Sequence, residues 1–173
     1  MTTGESQIIA GGRTDVFQSI SADLAQLDDL EQIFERALDL SLNLSSSRFG
    51  FIGLVDSAGL ASWVDWRGAD PSFAPPRGMI ERLVAAAASD GPVTLSDLGS
   101  LTALQDGLGP LPCLGVQLRV GNEVFGSLGV AGATGYSDVE KQLMSSFASA
   151  VAAAIEVVRV REAREPKPNQ FSD

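Results

Sequence analysis

LPCLGVQLRVGNEVFGSLGVAGATGYSDVEKQLMSSFASAVAAAIE, residues 111–156, makes three structural commitments in a row. Cys113 to Val120 and Glu123 to Ala131 are apolar runs flanking Gly121-Asn122, a two-residue connection of the kind that closes tight hairpins. Ser137 and Glu140 then have the spacing of a capping box, a hydroxyl for an orphan helix amide and a carboxylate that reaches back. An Ala-rich helix is predicted from Ser137 to about Glu162. A turn at Gly121-Asn122 pairs Leu118 with Phe125 and Val116 with Ser127 on one side of the sheet. The other side then carries Cys113, Gly115, Gln117, Gly126, Leu128 and Val130. The aliphatic and aromatic first side is assigned to packing helices, and the second, with its thiol, amide and glycine gaps, to a pocket.

Upstream, a helical segment runs from Asp15 through Ile20, Leu24 and Leu27, and Asp28 to Glu31 restart or continue it as another capping box. Leu30, Ile33, Phe34, Ala37, Leu38 and Ser41 form a stripe at helical spacing, opposed by Glu31, Glu35, Arg36 and Asp39. Phe49 to Val55 reads as a buried strand, 56–59 as a turn, and Leu60 to Trp66 as an antiparallel mate. A Pro-rich loop, Asp70 to Pro76, leads to a helix near Gly78 to Ser89, a short strand at Pro92 to Leu95, and an irregular connection over 96–110. The polar, aperiodic ends, 1–14 and 165–173, read as disordered tails around a single domain at 15–164.

With 173 residues and 45% hydrophobic content, the chain is long enough for one well-buried core and too short for two ordinary domains. Twenty-two acidic residues against twelve basic ones leave a net charge of -10, which repels phosphate backbones and anionic membranes. Neither nucleic acid nor membrane is an expected partner, and without a basic-then-apolar leader the reading is a cytoplasmic protein. Histidine is absent and Cys113 is the single cysteine. The usual haem and zinc ligands and the usual general base are therefore missing, so no metal, no cofactor and no catalysis is expected.

The order helix, two strands, helix, strand, loop, two strands, long helix resembles the GAF family of bacterial signal-transduction modules. Met79 to Val84 through Gly91 to Asp97 looks like that family's mid-domain helix and short Gly-Pro-Val strand; Leu114 to Val120 looks like its penultimate strand; Val124 to Val130 and the capped helix complete the match. The resemblance implies an α+β fold, GAF-like and related to PAS and profilin: a twisted antiparallel sheet of five to six strands, with the terminal helices bundled on one face and loops closing a pocket on the other. Its implied function is a non-catalytic sensory or regulatory domain that binds an unknown small molecule or a separate signalling protein, forms a homodimer through its terminal helices, and delivers output in trans. The alternatives are a ligand-free scaffold and, last, a Cys113-dependent redox sensor or enzyme. Cyclic-nucleotide-binding members carry an Asn-Lys pair, a Phe and Asp-Glu; here Ala131-Gly132 stand near the pair's place, Tyr136 stands for the Phe and Glu140-Lys141 for Asp-Glu. Members that attach bilin, bind haem or reduce methionine sulfoxide use a cysteine with a histidine, a histidine, or at least two cysteines, none of which this chain offers.

Gln117, Cys113, Trp63, Trp66, Phe51 and Arg67 are the candidate ligand-binding residues. Gln117 either faces a ligand or bonds a nearby loop carbonyl, since an amide in an apolar strand is costly unless paired. Cys113 is either a ligand-contacting or oxidisable thiol or a small buried hydrophobe. Trp63 and Trp66, three apart in a strand, point to opposite faces. Arg67 either neutralises an acidic ligand or is a solvated turn residue. Leu143, Phe147, Val151, Ala154 and Val158 form a helical stripe that either covers the domain's own sheet or meets a second subunit, and beyond Val151 the extra Val157, Val158 and Val160 favour a partner.

Overall fold

The computed structural model describes residues 18–45, 47–68, 77–89, 93–97, 112–132 and 135–164. The expected tails, the Pro-rich loop and most of the 96–110 connection lie outside the described residues. In chain order the elements are α1 (18–25), α2 (Leu30–Ser45), β1 (Phe49–Val55), β2 (Ala61–Gly68), α3 (Arg77–Ser89), β3 (Val93–Asp97), β4 (Pro112–Val120), β5 (Glu123–Ala131) and α4 (Asp138–Arg164). The strands form one antiparallel sheet of five in the order β2-β1-β5-β4-β3, so β1 and β5, far apart in sequence, sit side by side at its centre.

Local chemistry accounts for the element ends. The Ser137 hydroxyl accepts from the Glu140 amide at 3.2 Å while Glu140 Oε2 accepts from the Ser137 amide at 2.9 Å, which closes the expected box at the start of α4. At α2 the cap sits one residue later than expected: Asp29 Oδ1 accepts from the Gln32 amide at 2.7 Å, and α2 is a fresh helix after a break from α1. Between β1 and β2, Asp56 Oδ1 accepts from the amides of Ala58 and Leu60 at 2.9 and 3.0 Å, so one side chain organises the turn.

The β4–β5 hairpin corrects the expected register. Gly121, at φ 60°, and Asn122 form the turn, and Val120 faces Glu123 and Arg119 faces Val124. Phe125 is then an extra residue, a bulge, and beyond it Leu118 faces Gly126, Gln117 faces Ser127 and Val116 faces Leu128. Because side chains alternate with period two, that one residue transfers Leu128 and Val130 to the helix-packed side and Ser127 to the opposite side, the reverse of the expectation.

The terminal helices α1, α2 and α4 share one core with one face of the sheet. Phe34 and Leu38 of α2 and Phe147, Val151 and Ile155 of α4 are buried there against Ile52, Leu114, Leu118 and Leu128. Burying each such side chain contributes about 1.5–3 kcal/mol. The stripe Phe147, Val151, Ala154 and Val158 is thus buried inside its own subunit, with Leu143 half-buried at its edge. It covers the sheet rather than waiting for a second chain, because the sheet and α2 already present the matching apolar surface. Arg161 bonds Asp28 at 3.2 Å and Arg159 stacks 5.1 Å over the Phe125 ring, which ties the last turns of α4 to the body.

Candidate functional site

The opposite face of the sheet is covered by α3, and side-chain alternation sets out its floor in rows. Cys113, Ala131, Phe49 and Gly68 pair across the first row; Gly115, Gly129, Phe51 and Trp66 across the second; Gln117, Ser127, Gly53 and Val64 across the third. The C-terminal half of α3 lies directly on this floor. A Cβ placed on Gly53 would sit 2.8 Å from Val84 Cγ1, and one on Gly115 would sit 2.7 Å from Ala87 Cβ, so only glycine admits the helix at this distance.

Two polar side chains of the third row hold the helix by its backbone. The buried Ser127 hydroxyl donates to the Val84 carbonyl at 2.8 Å, and Gln117 Nε2 donates to the Ala88 carbonyl at 2.7 Å. Ala88 lies in the last turn of α3, where carbonyls have no helical partner, so the amide serves as a C-terminal cap. Gln117 thus bonds a helix carbonyl, the pairing its burial requires.

The first two rows lie at the end of the sheet where β2 finishes at Gly68 and β3 finishes at Asp97 opposite Pro112, the points at which the chain enters residues 69–76 and 98–111. The described side chains on this part of the face are Phe49, Phe51, Cys113, Ala131 and Trp66, clustered with Met79, Ile80 and Leu83 of α3, and none carries a charge. Cys113 is 2% exposed in this cluster. Among the described residues no group of three His, Cys, Asp or Glu side chains could hold a metal ion.

Of the six candidate residues, Cys113, Phe51, Trp66 and Gln117 come together on the α3 face. The other two lie across the sheet. Trp63 packs its ring 5.2 Å from that of Phe34 at 56°. Arg67 points at α2, where it pairs with Asp39 and, at 3.3 Å, with Glu35. The hydrogen bond that Arg67 donates to the Asp39 carboxylate is the main cause that raises the Arg67 pKa above its ordinary value. Ser127 was not among the candidates; a hydroxyl inside an apolar strand is the same signal that singles out Gln117, and only the bulge hid its face. A second hydroxyl group went unread: Ser45 bonds Ser47, and Ser47 bonds Tyr136, at 2.9 Å each, linking the end of α2 to the approach to α4.

A family model described as the GAF domain matches residues 28–156. Among solved structures, the GAF domain of a phosphoenolpyruvate-protein phosphotransferase from Coxiella burnetii is similar with a TM-score of 0.65 at 14% identity, over 87% of this chain and 96% of that one. The GAF-B domain of DevS from Mycobacterium smegmatis is similar with a TM-score of 0.56 at 21% identity, over 79% of this chain and 100% of that one. Free methionine-R-sulfoxide reductase from Neisseria meningitidis, in complex with its substrate, is similar with a TM-score of 0.60 at 13% identity, over 86% and 91%. Among curated proteins none matches in sequence. With three quarters of its length matched by the family model and an α+β fold built on an antiparallel sheet, the chain belongs to the GAF domain family, a family of sensory and regulatory modules.

Proposed function

We propose that this chain is a non-catalytic sensory module that takes a small, neutral, largely apolar molecule at the loop end of its α3 face, forms a homodimer through its terminal helices, and passes its output through α4. The observation that carries this reading is the division of labour between the two faces of the sheet. The loop end of the α3 face is floored by Phe49, Phe51, Cys113, Ala131 and Trp66 without a charge, while Arg67 is engaged by Asp39 and Glu35 on the other side. An anionic ligand would there meet no cation among the described side chains of the floor, whereas an apolar one would meet aromatic and thiol surface. The Neisseria relative takes its substrate on this fold. Its reductive chemistry does not carry over, because the one cysteine here is buried and has no second thiol to resolve it.

Native mass spectrometry of the purified protein, followed by a thermal-shift screen of charged and neutral metabolites, tests this reading. A bound mass above the 18.1 kDa chain, or a stabilisation by neutral compounds that charged ones do not give, is expected. Bare protein that no compound stabilises supports instead a ligand-free scaffold. That second reading is favoured by the glycine-limited seating of α3 over Gly53 and Gly115, which leaves no room between helix and sheet at those rows.

A further inference from the structure

We infer that the outer edge of β2 docks an extended segment of a separate protein in which apolar and basic residues alternate, and that this segment joins the sheet as a further strand. No ligand is needed for this edge to act. Among the described residues β2 has a strand neighbour on one side only, β1, and lies at the end of the sheet. From Trp63 to Gly68 it pairs with Leu54 to Phe49 in unbroken register, about 20 Å of regular edge whose outward amides and carbonyls repeat every second residue. The bulge falls at Ser62, beside the turn, and β2 holds neither proline nor lysine, two of the devices that close such an edge to other chains.

The two sides of this edge ask for different side chains. On the α3 side Ala61, Val64 and Trp66 are half-buried against the apolar cluster of Phe49, Phe51 and Met79, so each keeps part of its apolar surface at the open edge. On the bundle side stand Trp63, Asp65 and Arg67. The Trp63 ring is 39% exposed yet backed by Phe34, and Leu60 in the neighbouring turn is 64% exposed. A ring already held in one orientation loses little freedom on binding, which suits it to anchor a partner.

Charge names the occupant. Arg67 is turned toward α2 and engaged by Asp39 and Glu35. Asp65, and Glu31 one turn before Glu35 on the same side of α2, pair with no cation among the described residues. A strand laid along β2 with its apolar side toward Val64 and Trp66 places its alternate residues beside Asp65 and Trp63, where a lysine or arginine meets a carboxylate and an aromatic face. A second copy of this chain would bring a further charge of -10 to that edge, whereas a basic segment is drawn to it. Main-chain pairing then supplies affinity, and the alternation supplies the choice of partner.

The probe is a heptapeptide of alternating valine and lysine, blocked at both ends and added to the full chain. Trp63 and Trp66 are the two tryptophans of the chain, so fluorescence reads this strand directly. A saturable change is expected, with slowed amide exchange in 63–68, and neither is expected from the same peptide with glutamate in place of lysine. Asp65→Lys is expected to weaken binding about tenfold. Asp65→Asn, which keeps the side-chain oxygen that accepts from the Trp66 amide at 2.8 Å and so guards against a fold defect, is expected to weaken it about threefold. The absence of a saturable response to the alternating peptide overturns the inference, as does protection that arises away from β2 or an affinity unchanged by both Asp65 substitutions. Equal binding by a peptide of the same composition with its valines and lysines in two blocks overturns the added strand. An oligomer mass by light scattering that falls on Asp65→Lys assigns the edge to a second copy and overturns the separate partner.

Discussion

The two faces of the sheet are packed by different means. On the bundle face, large side chains from three helices interlock, and Phe34, Phe147, Ile52, Leu118 and Leu128 fill the space between backbones. On the α3 face a single helix sits close enough to touch glycine positions, and two side chains, Ser127 and Gln117, grip its backbone carbonyls. Volume sets the helix positions on the first face; backbone proximity and polar contacts set them on the second. A helix held in the second way has little room to move toward the sheet, and its neighbours feel any change in what lies beside it.

The largest effect belongs to the bundle. Phe147→Ala removes a fully buried ring between α4 and the sheet and is expected to cost about 3–5 kcal/mol in chemical denaturation; a loss below about 1 kcal/mol would mean that the bundle is not packed by volume. Gly53→Val probes the other face, where its Cβ alone would collide with Val84 and the Trp63 carbonyl. A loss of about 1–3 kcal/mol is expected, with hydrogen exchange accelerated first in α3; uniform acceleration across the bundle would erase the distinction between the faces. Gln117→Ala removes the donor to Ala88 and is expected to cost about 1 kcal/mol, read as faster exchange in the last turn of α3.

The smallest effect is expected at Arg67, whose ion pairs with Asp39 and Glu35 are largely solvated, so that Arg67→Ala costs at most about 1 kcal/mol. Its folded-state pKa is raised, so the stabilisation linked to that shift is fully present below the ordinary arginine value and fades only as pH rises through the still higher folded value. The deficit of the variant is therefore expected to stay flat from about pH 6 to about pH 9, and a deficit that grows across that window would show that Arg67 acts through another titrating group.

The hairpin turn, the α4 capping box and the α2 stripe were legible in the sequence, because each depends on residues within four positions of one another. The opposed directions of Trp63 and Trp66 were legible for the same reason, since alternation along a strand is local. The partners of Arg67 were not, because Glu35 and Asp39 lie on another element, and nothing in the chain's local pattern states which strand passes beneath α2. Gln117 announced that it needed a partner, and the sheet register chose Ala88.

Element types, their ends and the family itself were thus determined by local pattern and order along the chain. Only the tertiary structure decided which side of β5 and which side of α4 is inward. One bulged residue, Phe125, reverses every side chain of β5 beyond it, and strand alternation carries no record of the shift. The long helix α4 has apolar residues on two sides, so helical period alone could not say which side its own sheet would claim. Packing resolved the choice by matching the bulky stripe of Phe147, Val151 and Val158 to the sheet and α2, and leaving the slimmer strip of valine and alanine outside.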